Sequence, residues 1–233
     1  MNLRRGVRPL VIGHRGAAAV APANTLAALE VAVAAGADLV EFDISPGLRI
    51  AHSEREVPLE QIDLDSALEY LREHGVGVQL DLKLPGYEAA IVEVVQRHDV
   101  AGRTLVSSAW PASTRALAAI APELPRAISY PRDRYGVSRA PWPRALTRAG
   151  AASVRLVMSA RAPFLLSHAR ANVLSLHHTL CSRAVVEAAH RRDVPVLAWT
   201  ANDRATVLRL DALGVDAIVS DDPEMALATL ATQ

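Results

Sequence analysis

One feature constrains this chain more than any other: short β-rich runs alternate with alanine-rich helical stretches along almost its whole length. Pro9-Leu10-Val11-Ile12-Gly13 is a fully apolar run of the kind that fits a strand covered on both faces. Residues 24–35 (NTLAALEVAVAA) read as a helix, with Asn24 as N-cap and Gly36 as the stop. The same alternation predicts strands at 38–43, 76–83, 104–108, 126–130, 172–177, 194–200 and 215–220. Helices are expected at 65–74, 87–98, 113–120, 182–191 and 204–213. Strands separated by helices pair in parallel, because a crossover must return the chain to the same end of the sheet. Eight such strands in 233 residues point to one closed (β/α)₈ TIM barrel. The arginine- and alanine-rich stretch 144–171 fits the pattern least well; 152–157 could form a ninth strand, but the helical flanks favour two helices broken near Pro163. No linker, low-complexity tract or long-period repeat divides the chain, so residues 1–233 are expected to form a single domain.

Charge and cysteine content exclude several classes of function. Lys+Arg and Asp+Glu each total 25, so no domain-wide basic footprint for nucleic acid exists. The single cysteine, Cys181, rules out an internal disulfide framework and any CxxC metal or redox motif. Every apolar run is interrupted by a charge before it could span a bilayer, and the N-terminus MNLRRGVRPLVIGHRG lacks the apolar core of a signal peptide. A soluble, cytoplasmic protein is the expectation.

In a parallel barrel the reacting groups sit at the C-terminal ends of the strands. The first strand ends in His14-Arg15-Gly16. The second carries Glu41 and Asp43, two residues apart and therefore on one face, while Val40 and Phe42 point the other way. The third repeats the arrangement with Asp81 and Lys83 against Leu80 and Leu82. If the apolar set meets the helices, three carboxylates converge in the lumen, at a desolvation cost of several kcal/mol for each unpaired ion. Lys83 and Arg15 offset part of that cost. A divalent cation offsets more, and an all-oxygen ligand set favours Mg²⁺ or Ca²⁺. The competing reading is that these acids only pair with neighbouring bases or cap adjacent elements. Four further histidines, His74, His98, His168 and His190, fall at helical or helix-terminal positions and are expected to be surface or capping residues. Cys181 is expected to pack as a small apolar group, and Asp221 and Asp222 to cap the last helix.

The run His14-Arg15-Gly16, Pro22-Ala23-Asn24-Thr25 and Gly36-Ala-Asp-Leu-Val-Glu41-Phe-Asp43 resembles the glycerophosphodiester phosphodiesterase family, whose opening reads HRG, PENT, then GAD-x-x-E-x-D. The likeness continues through His52, Asp81-Leu-Lys83, Ser107-Ser108, Ala198-Trp199-Thr200-Ala-Asn202 and Gly214 to Pro223, in the family's order. The resemblance implies a metal-dependent phosphodiester hydrolase that binds one Mg²⁺ or Ca²⁺ through Glu41, Asp43 and Asp81. It implies that His14 and His52 act as an acid–base pair, and that a substrate hydroxyl attacks phosphorus, with a cyclic phosphate as one outcome. Arg15 and Lys83 would face the phosphoryl oxygens, and Trp199 would form an apolar wall beside the alcohol. Departures from the pattern are Ala23 for glutamate, Asp81 for the usual glutamate, Ser53 after the second histidine, and a clipped hairpin before His52, which displaces it on this reading. The leading expectation is cleavage of glycerophosphodiesters to sn-glycerol 3-phosphate and an alcohol. Lysophospholipids, cleaved as by the related sphingomyelinase D enzymes, and a non-catalytic phosphate-binding barrel stand as the alternatives.

Overall fold

The computed structural model describes residues 1–52, 62–132 and 144–232, with side chains from 153 onward in the last stretch. Eight parallel strands close a barrel: β1 (Leu10–Gly13), β2 (Leu39–Ser45), β4 (Gly77–Leu82), β5 (Thr104–Ser108), β6 (Arg126–Tyr130), β7 (Val173–His177), β8 (Val196–Trp199) and β9 (Ala217–Ser220). The short β3 (Arg49–Ile50) turns back antiparallel to β2, the hairpin that carries His52. Closure is between first and last strands, Leu10 to Gly13 against Ala217 to Ser220, with β2 on the other side of β1.

Helices α1 (Leu26–Ala34), α2 (Leu64–Glu73), α3 (Glu88–Arg97), α4 (Pro111–Ile120), α5 (Arg144–Ala169), α6 (Arg183–His190), α7 (Arg204–Leu213) and α8 (Pro223–Ala231) cover the outside. Side-chain parity divides the apolar residues as expected. Val40, Phe42, Leu80 and Leu82 face the helices and are at most 1% exposed. Ile12, Leu39, Leu105, Ala127, Val173, Leu197, Ala217 and Val219 fill the lumen below the polar layer. This plug keeps water out from underneath, so groups above it are solvated only through the mouth.

At the opposite end two acids satisfy strand-start amides. Asp38 Oδ2 accepts from Val11 N at 2.7 Å, tying the start of β2 to β1, and Asp216 Oδ2 from Val196 N at 2.8 Å, tying the start of β9 to β8.

Two local readings of the sequence are corrected. Thr25, not Asn24, caps α1, its Oγ1 accepting from Ala28 N at 3.3 Å. The region 144–169 is one helix, α5, with Pro163 inside it. The buried stripe Met158, Ala162, Leu166 and Ala169 runs straight through the proline. Packing of that stripe against the barrel offsets the lost backbone hydrogen bond. His74 and His98 are C-caps, of α2 and α3, and Cys181 is fully buried in the core, both as expected. Among the described residues no helix is long and apolar enough to cross a membrane.

Candidate active site

Register places the acids before any side-chain contact does. Asp43 on β2 is level with Asp81 on β4, and Asp81 with Ser107 on β5, so the three form one rung of the lumen. Glu41 lies two residues nearer the plug, 3% exposed, and Asp43 is fully buried. One carboxylate oxygen from each of Glu41, Asp43 and Asp81 lies within 4.8 Å of the others.

The cations come from the strand ends. Lys83, just past β4, places its Nζ 2.5 Å from Asp81 Oδ2 and also against Asp43 Oδ1. Arg15 leaves β1 with a φ of 52°. That left-handed turn lets its backbone N–H donate to Glu41 Oε2 at 2.9 Å while its Nε reaches Asp43 Oδ2 at 2.8 Å. Burial alone would raise the Asp43 pKa. Lys83, the hydrogen bond with His52 and the Arg15 charge outweigh it, and the carboxyl is held far below its ordinary range. Burial likewise opposes the charge on Lys83, but Asp81, Asp43 and Glu41 hold the ammonium protonated. Among the described residues no lysine or arginine side chain pairs with Glu41, and His14 and the more distant Lys83 offset only part of its charge. Burial first, and then the neighbouring Asp43 charge, push it up to about 7.

Two histidines flank this cluster, each held by a different device. His14 Nδ1 lies 2.5 Å from Asp221 Oδ1, and its Nε2 turns to Glu41 Oε2 at 3.9 Å. Burial pulls its pKa down, but the Asp221 hydrogen bond and the Glu41 charge win, and the net shift is upward. Asn202 braces Asp221, donating from Nδ2 to Oδ2 and accepting the Asp221 backbone N–H at 3.0 Å. His52 Nδ1 sits 3.0 Å from an Arg15 guanidinium nitrogen and 3.2 Å from Asp43 Oδ2. The first neighbour can only donate and the second can only accept. With its proton on Nδ1, His52 donates to Asp43 and leaves Nε2 as a base. With Nδ1 bare, it accepts from Arg15 and its Nε2–H serves only as a hydrogen-bond donor.

Of the residues singled out in the sequence, His14, Arg15, Glu41, Asp43, His52, Asp81 and Lys83 thus form one contact network. The clipped hairpin still brings His52 into the cluster: Ala51 N donates to Asp43 O at 2.9 Å and anchors the turn beside the acid. Ser53 and the connection that follows it lie outside the described residues. Trp199 ends β8 on the other side of the mouth, edge-on to His177 with ring centroids 5.2 Å apart. Its buried Nε1 has no hydrogen-bond partner among the described residues. His177 is pushed down to about 4 by burial, and then by His178 beside it, so it is neutral at physiological pH.

Two supporting residues escaped the sequence reading. Asp222 caps α8, as expected, but Asp221 serves His14 instead. Asn24, with a φ of 62°, brackets Asp43: its Nδ2 donates to Oδ2 at 3.3 Å and its Oδ1 accepts the Asp43 N–H at 3.4 Å. The signal for both was present, since each belongs to a motif already in view, but a capping role explained them first.

Residues 14–45 and 61–225 match the model of the glycerophosphoryl diester phosphodiesterase family. The chain belongs to that family. A glycerophosphodiester phosphodiesterase from Caldanaerobacter subterraneus is 24% identical over 258 residues, which span 94% of this chain and 96% of the relative. An Oleispira antarctica phosphodiesterase, solved in complex with the product sn-glycerol-3-phosphate, superposes with a TM-score of 0.72 at 25% identity, covering 96% of this chain and 97% of that one. A glycerophosphodiester phosphodiesterase from Agrobacterium tumefaciens gives a TM-score of 0.70 at 21% identity, over 94% of this chain and 99% of that one. Both structures share the barrel.

Proposed function

We propose that this phosphodiesterase cleaves glycerophosphodiesters to sn-glycerol 3-phosphate and an alcohol, and that it needs one divalent cation, Mg²⁺ or Ca²⁺, to do so. The observation that carries the reading is the convergence of Glu41, Asp43 and Asp81 between two histidines. Their donor set fits a hard dication. Arg15 and Lys83 leave one of the three negative charges uncompensated, and that charge falls on Glu41, against which no lysine or arginine side chain is paired among the described residues. A dication would reverse the excess to one positive charge, which a singly charged phosphodiester neutralises.

A cation held by Glu41, Asp43 and Asp81 would supply charge at the non-bridging oxygens and acidify an attacking hydroxyl. The chain's own groups do the rest. The Arg15 and Lys83 cations orient the phosphodiester and offset charge as it builds on phosphorus. His14, whose protonated form Asp221 favours, gives its Nε2 proton to the departing alkoxide. His52, with its Nδ1–H on Asp43, takes a proton at Nε2 from the substrate's neighbouring hydroxyl. If a cyclic phosphate forms, the two exchange roles to open it with water. Trp199 is assigned to the apolar side of the alcohol.

The lysophospholipid alternative is a choice of alcohol and acyl chain at this same site. The non-catalytic alternative rests on Ala23, Ser53 and the clipped hairpin; the place of His52 beside Asp43 and Arg15 favours the hydrolase over it. We read residues 1–233 as one catalytic domain, and the cytoplasmic location is proposed on the sequence alone. The test is turnover of glycerophosphocholine by purified protein with EDTA, Mg²⁺ or Ca²⁺. Activity should require the cation and fall at least a hundredfold in His14→Ala and in His52→Ala. Full activity in EDTA would overturn the metal assignment, and an active His14→Ala would overturn the acid.

A further inference from the structure

Charge is balanced over the whole chain but not along it. Between Leu124 and Val186 ten arginines stand against one acid, Asp133, although basic and acidic residues each total 25. Helix α5 occupies the middle of this stretch and contains no acid. At 26 residues it is about 39 Å long at 1.5 Å per residue, whereas the other helices have 8 to 10 residues.

Met158, Ala162, Leu166 and Ala169 face the barrel. At about 100° per residue, the opposite side carries Leu156, Val157 and Phe164, which are 82%, 54% and 72% exposed. Arg161 and Arg170, both exposed, stand on either side of this apolar strip, and Arg161 lies over the Tyr130 ring at 5.2 Å. Near the C-terminal end of α5 a cleft of about 580 Å³ opens among Pro163, Leu166, Arg126, Arg170 and Arg192, with no acidic side chain in its lining.

We propose that the outer face of α5 docks on an anionic phospholipid surface, with Leu156, Val157 and Phe164 entering the acyl boundary and the flanking arginines meeting lipid phosphates. An exposed apolar strip between cations of one sign matches the composition of helices that lie in a membrane interface. Arginine binds phosphate through two parallel N–H groups, and the three-arginine cleft beside the strip offers room for a headgroup. Self-association through this face is disfavoured, because a second copy would bring arginines against arginines. The proposal goes beyond the hydrolase reading and does not depend on it, since docking is read without turnover.

The test is flotation of the full chain with vesicles of phosphatidylcholine alone or with about one third phosphatidylglycerol. Partitioning should be at least tenfold greater onto the anionic vesicles and should collapse in about 0.5 M NaCl, where screening shortens the reach of surface charge. Leu156→Ser/Phe164→Ser and Arg161→Glu/Arg170→Glu should each lower partitioning tenfold or more. Both should keep the parent's circular dichroism spectrum and its rate on a water-soluble diester. Equal binding to neutral and anionic vesicles, or either double variant binding like the parent, would overturn the proposal. So would a dimer in sedimentation velocity that Phe164→Ser dissociates, with no vesicle binding by the parent.

Discussion

Lowering the pH from 8 to 5.5 should weaken cation binding about thirtyfold, and Glu41 should be the cause. A carboxylate must be ionised to act as a ligand. With Glu41 raised to about 7 in the cation-free site, roughly nine in ten molecules are ionised there at pH 8 and about three in a hundred at pH 5.5. The ratio is about thirty, or about 2 kcal/mol of binding free energy. Asp43 is held ionised and Lys83 protonated throughout this window, so neither contributes. His14 adds in the same direction, because its proton places a positive charge near Glu41 as the pH falls.

The assay is calorimetric titration of Mg²⁺ or Ca²⁺ at both pH values, in buffers of different ionisation enthalpy. About one proton should leave per cation bound at pH 5.5 and about a tenth of one at pH 8. Glu41→Gln should lose most of this dependence. The same shift sets a stability trend. A folded-state pKa above the ordinary 4.5 means that the native protein keeps a proton the unfolded chain has lost, so cation-free stability falls as pH rises from about 4.5 to 7. The fall amounts to roughly 3 kcal/mol at most, and saturating cation should erase it. Equal affinities at the two pH values, or no proton release at pH 5.5, would refute the assignment of Glu41 as the uncompensated acid.

Asp221→Asn should remove the anion that holds the proton on His14. The alkaline limb of the kcat/KM profile should move to lower pH, and the neutral-pH rate should fall about a hundredfold, read from a pH–rate series. Gly16→Ala should cost at least 2 to 3 kcal/mol in urea unfolding. Gly16 has a φ of 87°, and a Cβ there would meet the Ala28 carbonyl carbon at 2.5 Å, a backbone atom that cannot yield without moving α1. Lys83→Met leaves Asp43 and Asp81 facing each other without their shared ammonium. It should lower cation-free stability by about 3 kcal/mol, with partial recovery in excess Ca²⁺, measured by thermal unfolding with and without the ion.

Most of the architecture was legible in the chain because it rests on short-range rules. The period-two spacing of Glu41 and Asp43, and of Asp81 and Lys83, assigns each to a face before any partner is known. The apolar residues between them then decide which face is the lumen. Glycines such as Gly36 and Gly214 end helices because a left-handed residue costs them little, and strands alternating with helices leave few topologies besides the barrel. What local rules could not supply is anything that depends on a distant element.

Pro163 reads as a helix break until the Met158–Ala169 stripe is seen packed against the barrel. Asn24 and Asp221 each sit beside a helix start, where capping is the cheapest explanation, and each turns out to serve a titratable group on another strand. Asp221 and His14 are 207 positions apart and meet only because β1 pairs with β9. The sequence by itself therefore determined the inventory of charged groups and the face each occupies, since both follow from composition and backbone period. Only barrel closure decided which acid restrains which base, and which acid is left without a lysine or arginine against it. Those pairings, and the proton affinities that follow from them, are set by distances across the lumen rather than along the chain.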